Sequence, residues 1–94
     1  MKLRWTPLAI GHLDSVHEYI AKDNPAAADE QIERIFSALE GLKIHPQLGR
    51  KGRVSGTSEL VIAGTPFIVA YRVKREWVEI LAVLHAARQW PERL

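Results

Sequence analysis

Phe67-Ile68-Val69-Ala70-Tyr71-Arg72-Val73-Lys74-Arg75-Glu76-Trp77-Val78-Glu79-Ile80-Leu81-Ala82-Val83-Leu84 is the stretch from which the rest of the chain can be read. Phe67, Val69, Tyr71 and Val73 share one side of an extended chain. In the following run Val78, Ile80, Ala82 and Leu84 face one way, and Trp77, Glu79 and Leu81 the other. A period of two in β-branched and aromatic residues marks strands with one face buried. Strands are therefore predicted at Phe67–Val73 and Trp77–Leu84, joined by a hairpin at Lys74-Arg75-Glu76.

Working towards the N-terminus, Gly49, Gly52, Gly56 and Gly64 punctuate a segment that lacks helix formers, and strands are expected near Gly49–Val54 and Glu59–Ala63. Before Gln47 the period changes. Thr6-Pro7 and Asn24-Pro25 each place a capping side chain ahead of a proline, which suits the first turn of a helix. Ala9, Leu13, Val16 and Ile20 form one apolar stripe at helical spacing, and Ala28, Ile32, Ile35, Leu39 and Leu42 form a second. Lys22 to Asn24 ends the first helix, and Ile44-His45-Pro46 ends the second because the residue before proline is pushed out of helical geometry.

Two helices followed by strands predict an α+β domain: an N-terminal antiparallel helical hairpin packed on one face of a twisted antiparallel β-sheet. The first few residues can add an edge strand. Leu13, Val16, Ile20, Ile32, Ile35 and Leu39 are the expected helical contribution to the core. The 94 residues suffice for one core, and with no repeat or linker a single domain over 1–94 is expected.

The hydrophobic share of 47% and charged share of 26% argue for a folded chain rather than a disordered one. With no cysteine, disulfides and thiolate metal sites are excluded, and a reducing cytoplasm is the expected location. Pro7, Gly11, His12 and Asp14 interrupt the N-terminal region, so no signal peptide is expected there, and the apolar run Ile80–Leu84 is too short to span a membrane. The charge is uneven. Met1 to Pro46 carries five basic and seven acidic residues, whereas Gln47 to Leu94 carries eight basic and four acidic, which suits a nucleic acid or an acidic protein as partner.

The basic half concentrates in Gly49-Arg50-Lys51-Gly52-Arg53-Val54-Ser55-Gly56-Thr57, where three cations and three glycines stand without an acid. Arg50, Lys51 and Arg53 could hold phosphate or carboxylate groups. The plainer reading, favoured by composition alone, is a charged edge strand that resists aggregation. Arg72 lies on the opposite face from Phe67, Val69, Tyr71 and Val73, either supporting a basic groove or simply pairing across strands with Glu79 or Glu76. His85 and Arg88 follow the last strand, where imidazole could move a proton and guanidinium could hold a phosphate. A lone histidine beside an apolar run is more often structural. His12 and His17 are five apart on a helix and point in different directions, His45 stands alone, and Glu30 and Glu33 sit off the apolar stripe. No metal or other cofactor is expected.

Trp5-Thr6, Tyr19-Ile20 through Asn24-Pro25-Ala26-Ala27, the run Gly49 to Leu60, Pro66 to Val73 and Ile80 to Arg88 together resemble the RelE/ParE toxins, particularly their plasmid-stabilisation members, over nearly the whole chain. The resemblance implies a growth-inhibiting toxin of a type II toxin-antitoxin system and a cognate antitoxin. The antitoxin's C-terminal segment folds over the toxin and its N-terminal part binds operator DNA, so the toxin meets that DNA only indirectly.

The family divides by target. RelE-like members are metal-independent endoribonucleases that cut messenger RNA, usually on the ribosome, and ParE-like members poison DNA gyrase. Where ribonuclease members often read Tyr-Arg-Leu-Val-Tyr, this chain reads Phe67-Ile68-Val69-Ala70-Tyr71, without the arginine, and only Trp90 roughly matches a C-terminal aromatic residue of the ribonuclease site. The expectation leans to gyrase, with the ribonuclease as alternative. If the chain is a nuclease, His85 and Arg88 are its candidate catalytic residues, and Arg50, Lys51, Arg53, Arg72 and Arg88 are candidates for target or nucleic-acid binding in either case. A third reading, a non-toxic nucleic-acid-binding module, lacks a clear pair of exposed aromatic residues. Arg50, Arg53 and Arg88 are expected to matter more to toxicity than to folding, because no acid lies close to them in sequence.

Overall fold

The computed structural model describes residues 1–88 and 90–94. Strand β1 (Lys2–Trp5) leads into helix α1 (Pro7–Ala21) and helix α2 (Pro25–Ile44); a 3₁₀ turn at Pro46–Leu48 then opens onto β2 (Arg50–Lys51), β3 (Ser58–Val61), β4 (Phe67–Lys74) and β5 (Trp77–His85). Both helix starts follow from their caps. The Thr6 hydroxyl accepts the Ala9 N–H at 3.2 Å and the Asn24 side chain accepts the Ala27 N–H at 3.1 Å, each ahead of a proline that needs no partner.

The five strands lie in the order β1-β5-β4-β3-β2. The expected all-antiparallel sheet is corrected to a mixed one, since β1 runs parallel to β5 with Leu3 opposite Val78 and Trp5 opposite Ile80. That parallel pairing is possible because the entire helical hairpin forms the crossover between β1 and the later strands. One face of the sheet carries Leu60, Ile62, Phe67, Val69, Tyr71, Val78, Ile80 and Val83 against Ala9, Ile35, Leu39 and Leu42 of the helices. Leu13, Val16, Ile20 and Ile32 border this core and are only partly buried.

Three strand boundaries differ from expectation for local reasons. β2 stops at Lys51 rather than Val54 because Val54 O takes Thr57 N–H at 3.2 Å in a turn, while the Glu59 carboxylate takes Arg53 N–H at 2.7 Å. β3 stops at Val61 because Ile62 O takes Thr65 N–H at 3.2 Å in a turn in which Gly64 has φ +78°. Only Arg75 and Glu76 link β4 to β5, with Arg75 in the left-handed region at φ 58° as such two-residue turns require.

The alternation in β5 is also interrupted. Ala70 pairs with Ala82 but Tyr71 pairs with Ile80, so Leu81 is an extra residue that re-aims the strand. Beyond it Val83, not Leu84, joins Val78 and Ile80 in the core. On the other face Ile68, Ala70 and Ala82 are nevertheless buried. The centre of the Trp90 ring lies 3.7 Å from the Arg53 guanidinium beyond β2.

Tyr71 fastens the 3₁₀ turn to the sheet. Its fully buried hydroxyl donates to Pro46 O at 2.7 Å and accepts Gly49 N–H at 2.8 Å. A Cβ at Gly49 would lie 2.5 Å from that hydroxyl, so glycine is required there. Tyr71→Phe is expected to cost about 1 to 3 kcal/mol by stranding both backbone groups. A urea midpoint equal to that of the parent would show that water replaces the hydroxyl.

Candidate functional site

The glycine-rich basic strip folds around a residue that sequence reading missed. Glu59 alternates with Leu60 on β3, so its carboxylate projects from the face opposite the helices, yet only 2% of it is exposed. Arg50 Nη2 lies 3.3 Å from Glu59 Oε1 and Arg53 Nε lies 3.5 Å from Glu59 Oε2. The strip's two arginines thus share a buried acid. No acid lies close to them in the sequence, but strand pairing sets Arg50 directly opposite Glu59. The available signal was that Glu59 is the sole acid between Glu40 and Glu76. Lys51 lies on the short β2 and is exposed.

Arg72 makes the cross-strand pair that one of its two readings describes. It sits opposite Glu79 in the β4–β5 register, and its Nε donates to Glu79 Oε1 at 3.0 Å. It lies towards the hairpin end of the sheet, whereas His85 pairs with Phe67 at the opposite end.

His85 belongs to a different surface from the strip. Its ring packs edge-on against Phe67, 5.7 Å between centroids, and its Nδ1 accepts Ala87 N–H at 3.1 Å. With the exposed Arg88 it borders a cleft of about 540 Å³ on the helical side, walled by Val16, Tyr19 and Ile20 of α1 and by Phe67 and Val83. Gln31 also lines this cleft, and its side-chain oxygen is buried without a hydrogen-bond partner. The cleft that His85 and Arg88 share is lined by none of Arg50, Lys51, Arg53 and Arg72, so the candidate residues do not meet in one groove. Among the described residues there is no cluster of three or more His, Cys, Asp or Glu that could hold a metal ion. No described helix is long and apolar enough to cross a membrane.

His12, set aside in the sequence, has a definite task. β1 ends opposite Ile80, leaving the rest of the β5 edge unpaired by a strand. Side chains around α1 continue its role, with the Thr6 hydroxyl donating to Ile80 O at 2.9 Å and His12 Nδ1 accepting Val83 N–H at 3.2 Å. Burial holds the His12 imidazole below its ordinary value of 6.5. The folded chain then binds this proton less readily than the unfolded chain, so neutral His12 contributes stability that is complete above pH 6.5 and is lost as pH falls through the lowered value. The Tm of the parent is expected to drop more steeply below pH 6.5 than that of His12→Gln. Parallel curves would uncouple His12 from stability.

Residues 3–90 match the family model described as the ParE toxin of the type II toxin-antitoxin system parDE. Y4kP of Sinorhizobium fredii is 46% identical over 93 residues, covering 99% of this chain and 96% of its own. Toxin RelE2 of Caulobacter vibrioides is 32% identical over 84 residues, covering 89% of this chain and 93% of its own. A solved chain from the chromosomal ParDE system of P. aeruginosa is similar with a TM-score of 0.81 at 27% identity, over 90% of this chain and 95% of that one.

Proposed function

The chain belongs to the ParE toxin family of type II toxin-antitoxin systems, and from that premise we propose that it arrests growth by inhibiting DNA gyrase until its antitoxin covers it. The observation that carries this reading is the separation of His85 from the strip arginines, which leaves Arg88 as the one cation bordering the His85 cleft among the described residues. Cutting RNA at a ribose 2′-hydroxyl needs a base, an acid and cations converging on one phosphate. Here His85 packs on Phe67 towards α1, while Arg50 and Arg53 lie across the sheet, bound to Glu59. The Tyr71 hydroxyl is occupied at both ends by backbone groups and fully buried, so it is not free to carry a proton. Such a surface suits a stoichiometric inhibitor better than a nuclease. The match to the ParE toxin model supports the same target.

The purified chain is expected to block supercoiling by gyrase or to accumulate cleaved DNA, and to leave ribosome-bound message whole. Adding the cognate antitoxin should restore supercoiling. Message cut on ribosomes, with the cut abolished by His85→Ala or Arg88→Ala, would replace this reading with the metal-independent ribonuclease.

A further inference from the structure

We propose that the hairpin end of the sheet, on the face away from the helices, is a second site, one that binds the phosphodiester backbone of a nucleic acid. The strand registers build it as two rungs. Lys2, Trp77 and Lys74 stand side by side across β1, β5 and β4, and Arg4, Glu79 and Arg72 stand side by side on the next rung of the same face. Four cations thus surround one carboxylate and one indole, and Arg75 adds another at the hairpin tip.

The parts hold one another in place. Glu79 accepts a hydrogen bond from Arg72 at 3.0 Å and lies 3.9 Å from the Arg4 guanidinium as an ion pair. The Arg4 guanidinium lies 4.1 Å from the centre of the Trp77 ring, with the Lys2 ammonium at 5.4 Å. A guanidinium has five donors, and Glu79 engages one of Arg72's, so these half-exposed side chains keep donors for a ligand. Successive same-face rungs of a strand are about 7 Å apart, close to the roughly 6.8 Å rise of two nucleotides along one DNA strand.

The chemistry of the recess separates a phosphodiester from an acidic protein segment. Its volume is about 390 Å³, and Arg4, Lys74, Arg75, Glu76, Trp77 and Glu79 line it with no aliphatic side chain among them. Protein interfaces need an apolar core, whereas nucleic-acid backbones are held by charge and donors alone. Because Arg4 and Lys2 already occupy the indole, the site reads backbone rather than stacking bases. This surface is distinct from the Arg50–Glu59–Arg53 strip and independent of which target the toxin takes.

The test is fluorescence anisotropy of the purified 94-residue chain with a labelled DNA duplex of arbitrary sequence, a matching RNA duplex and a poly-glutamate peptide. Lys2→Gln/Lys74→Gln removes two cations that hold no ion pair among the described residues, so the fold is retained, as circular dichroism can verify. Duplex binding should weaken roughly tenfold, and the plot of log affinity against log salt should become shallower by about 2. Lys22→Gln/Lys43→Gln removes equal charge from the helical hairpin and should change neither. Equal losses in both doubles would reduce the effect to net charge and overturn the proposal. Poly-glutamate binding as tight as either duplex would also overturn it. Binding of DNA, RNA or both, lost in the first double alone, supports it and names the source of the backbone.

Discussion

Ile35→Ala is expected to lower the unfolding free energy by about 2 to 5 kcal/mol, a large share of the roughly 5 to 15 kcal/mol that holds a domain of this size together. Ile35 is fully buried in the single core where α2 meets the sheet, together with Leu39, Leu42, Val69 and Tyr71. Truncation removes the apolar contacts of three carbons and leaves a void that the surrounding sheet cannot close, because interiors pack as densely as organic crystals. Ile44 provides the comparison. It lies on the same helix but is 75% exposed, so Ile44→Ala should change stability by less than about 0.5 kcal/mol. Denaturant midpoints for the two variants decide the matter, and equal shifts would mean that α2 is rotated from the orientation described.

Removing both strip arginines is expected to cost about 3 kcal/mol, because Arg50→Ala/Arg53→Ala leaves the Glu59 carboxylate buried without a countercharge. The cost comes from the stranded acid rather than from lost attraction. Both guanidinium groups are about half exposed, at 58% and 46%, and solvent screens their pull on Glu59. Adding Glu59→Gln to the double should therefore recover much of the loss, since a neutral amide can still accept Arg53 N–H where the carboxylate does at 2.7 Å. A double variant as stable as the parent would overturn this account of Glu59. The triple variant also separates folding from targeting: if it is folded but harmless to growth, the two cations act on the target, and if toxicity returns with the fold, they served Glu59 alone.

Helix starts, helix faces and the presence of β3, β4 and β5 were legible in the sequence because each depends on residues a few positions apart. Thr6 and Asn24 reach N–H groups three residues on, Ile32, Ile35 and Leu39 share a helical face through a period of 3.6, and Phe67, Val69 and Tyr71 share a strand face through a period of 2. The same signals, with the motifs of the RelE/ParE toxins, were enough to name the fold class and the family. Tertiary structure alone decided which charges meet. Glu59 became the partner of Arg50 and Arg53 through the β2–β3 register, Trp77 came between Lys2 and Lys74 through pairing of the first strand with the last, and Trp90 met Arg53 from 37 positions along the chain. His85 was carried to the helical side by the extra residue Leu81, which shifts every later side chain of β5 by one position, a change that no periodicity in the sequence announces. Periodicity specifies which face of an element is buried, but register, bulges and strand order arise from contacts between residues far apart in the chain, and a site assembled from several strands depends on those contacts.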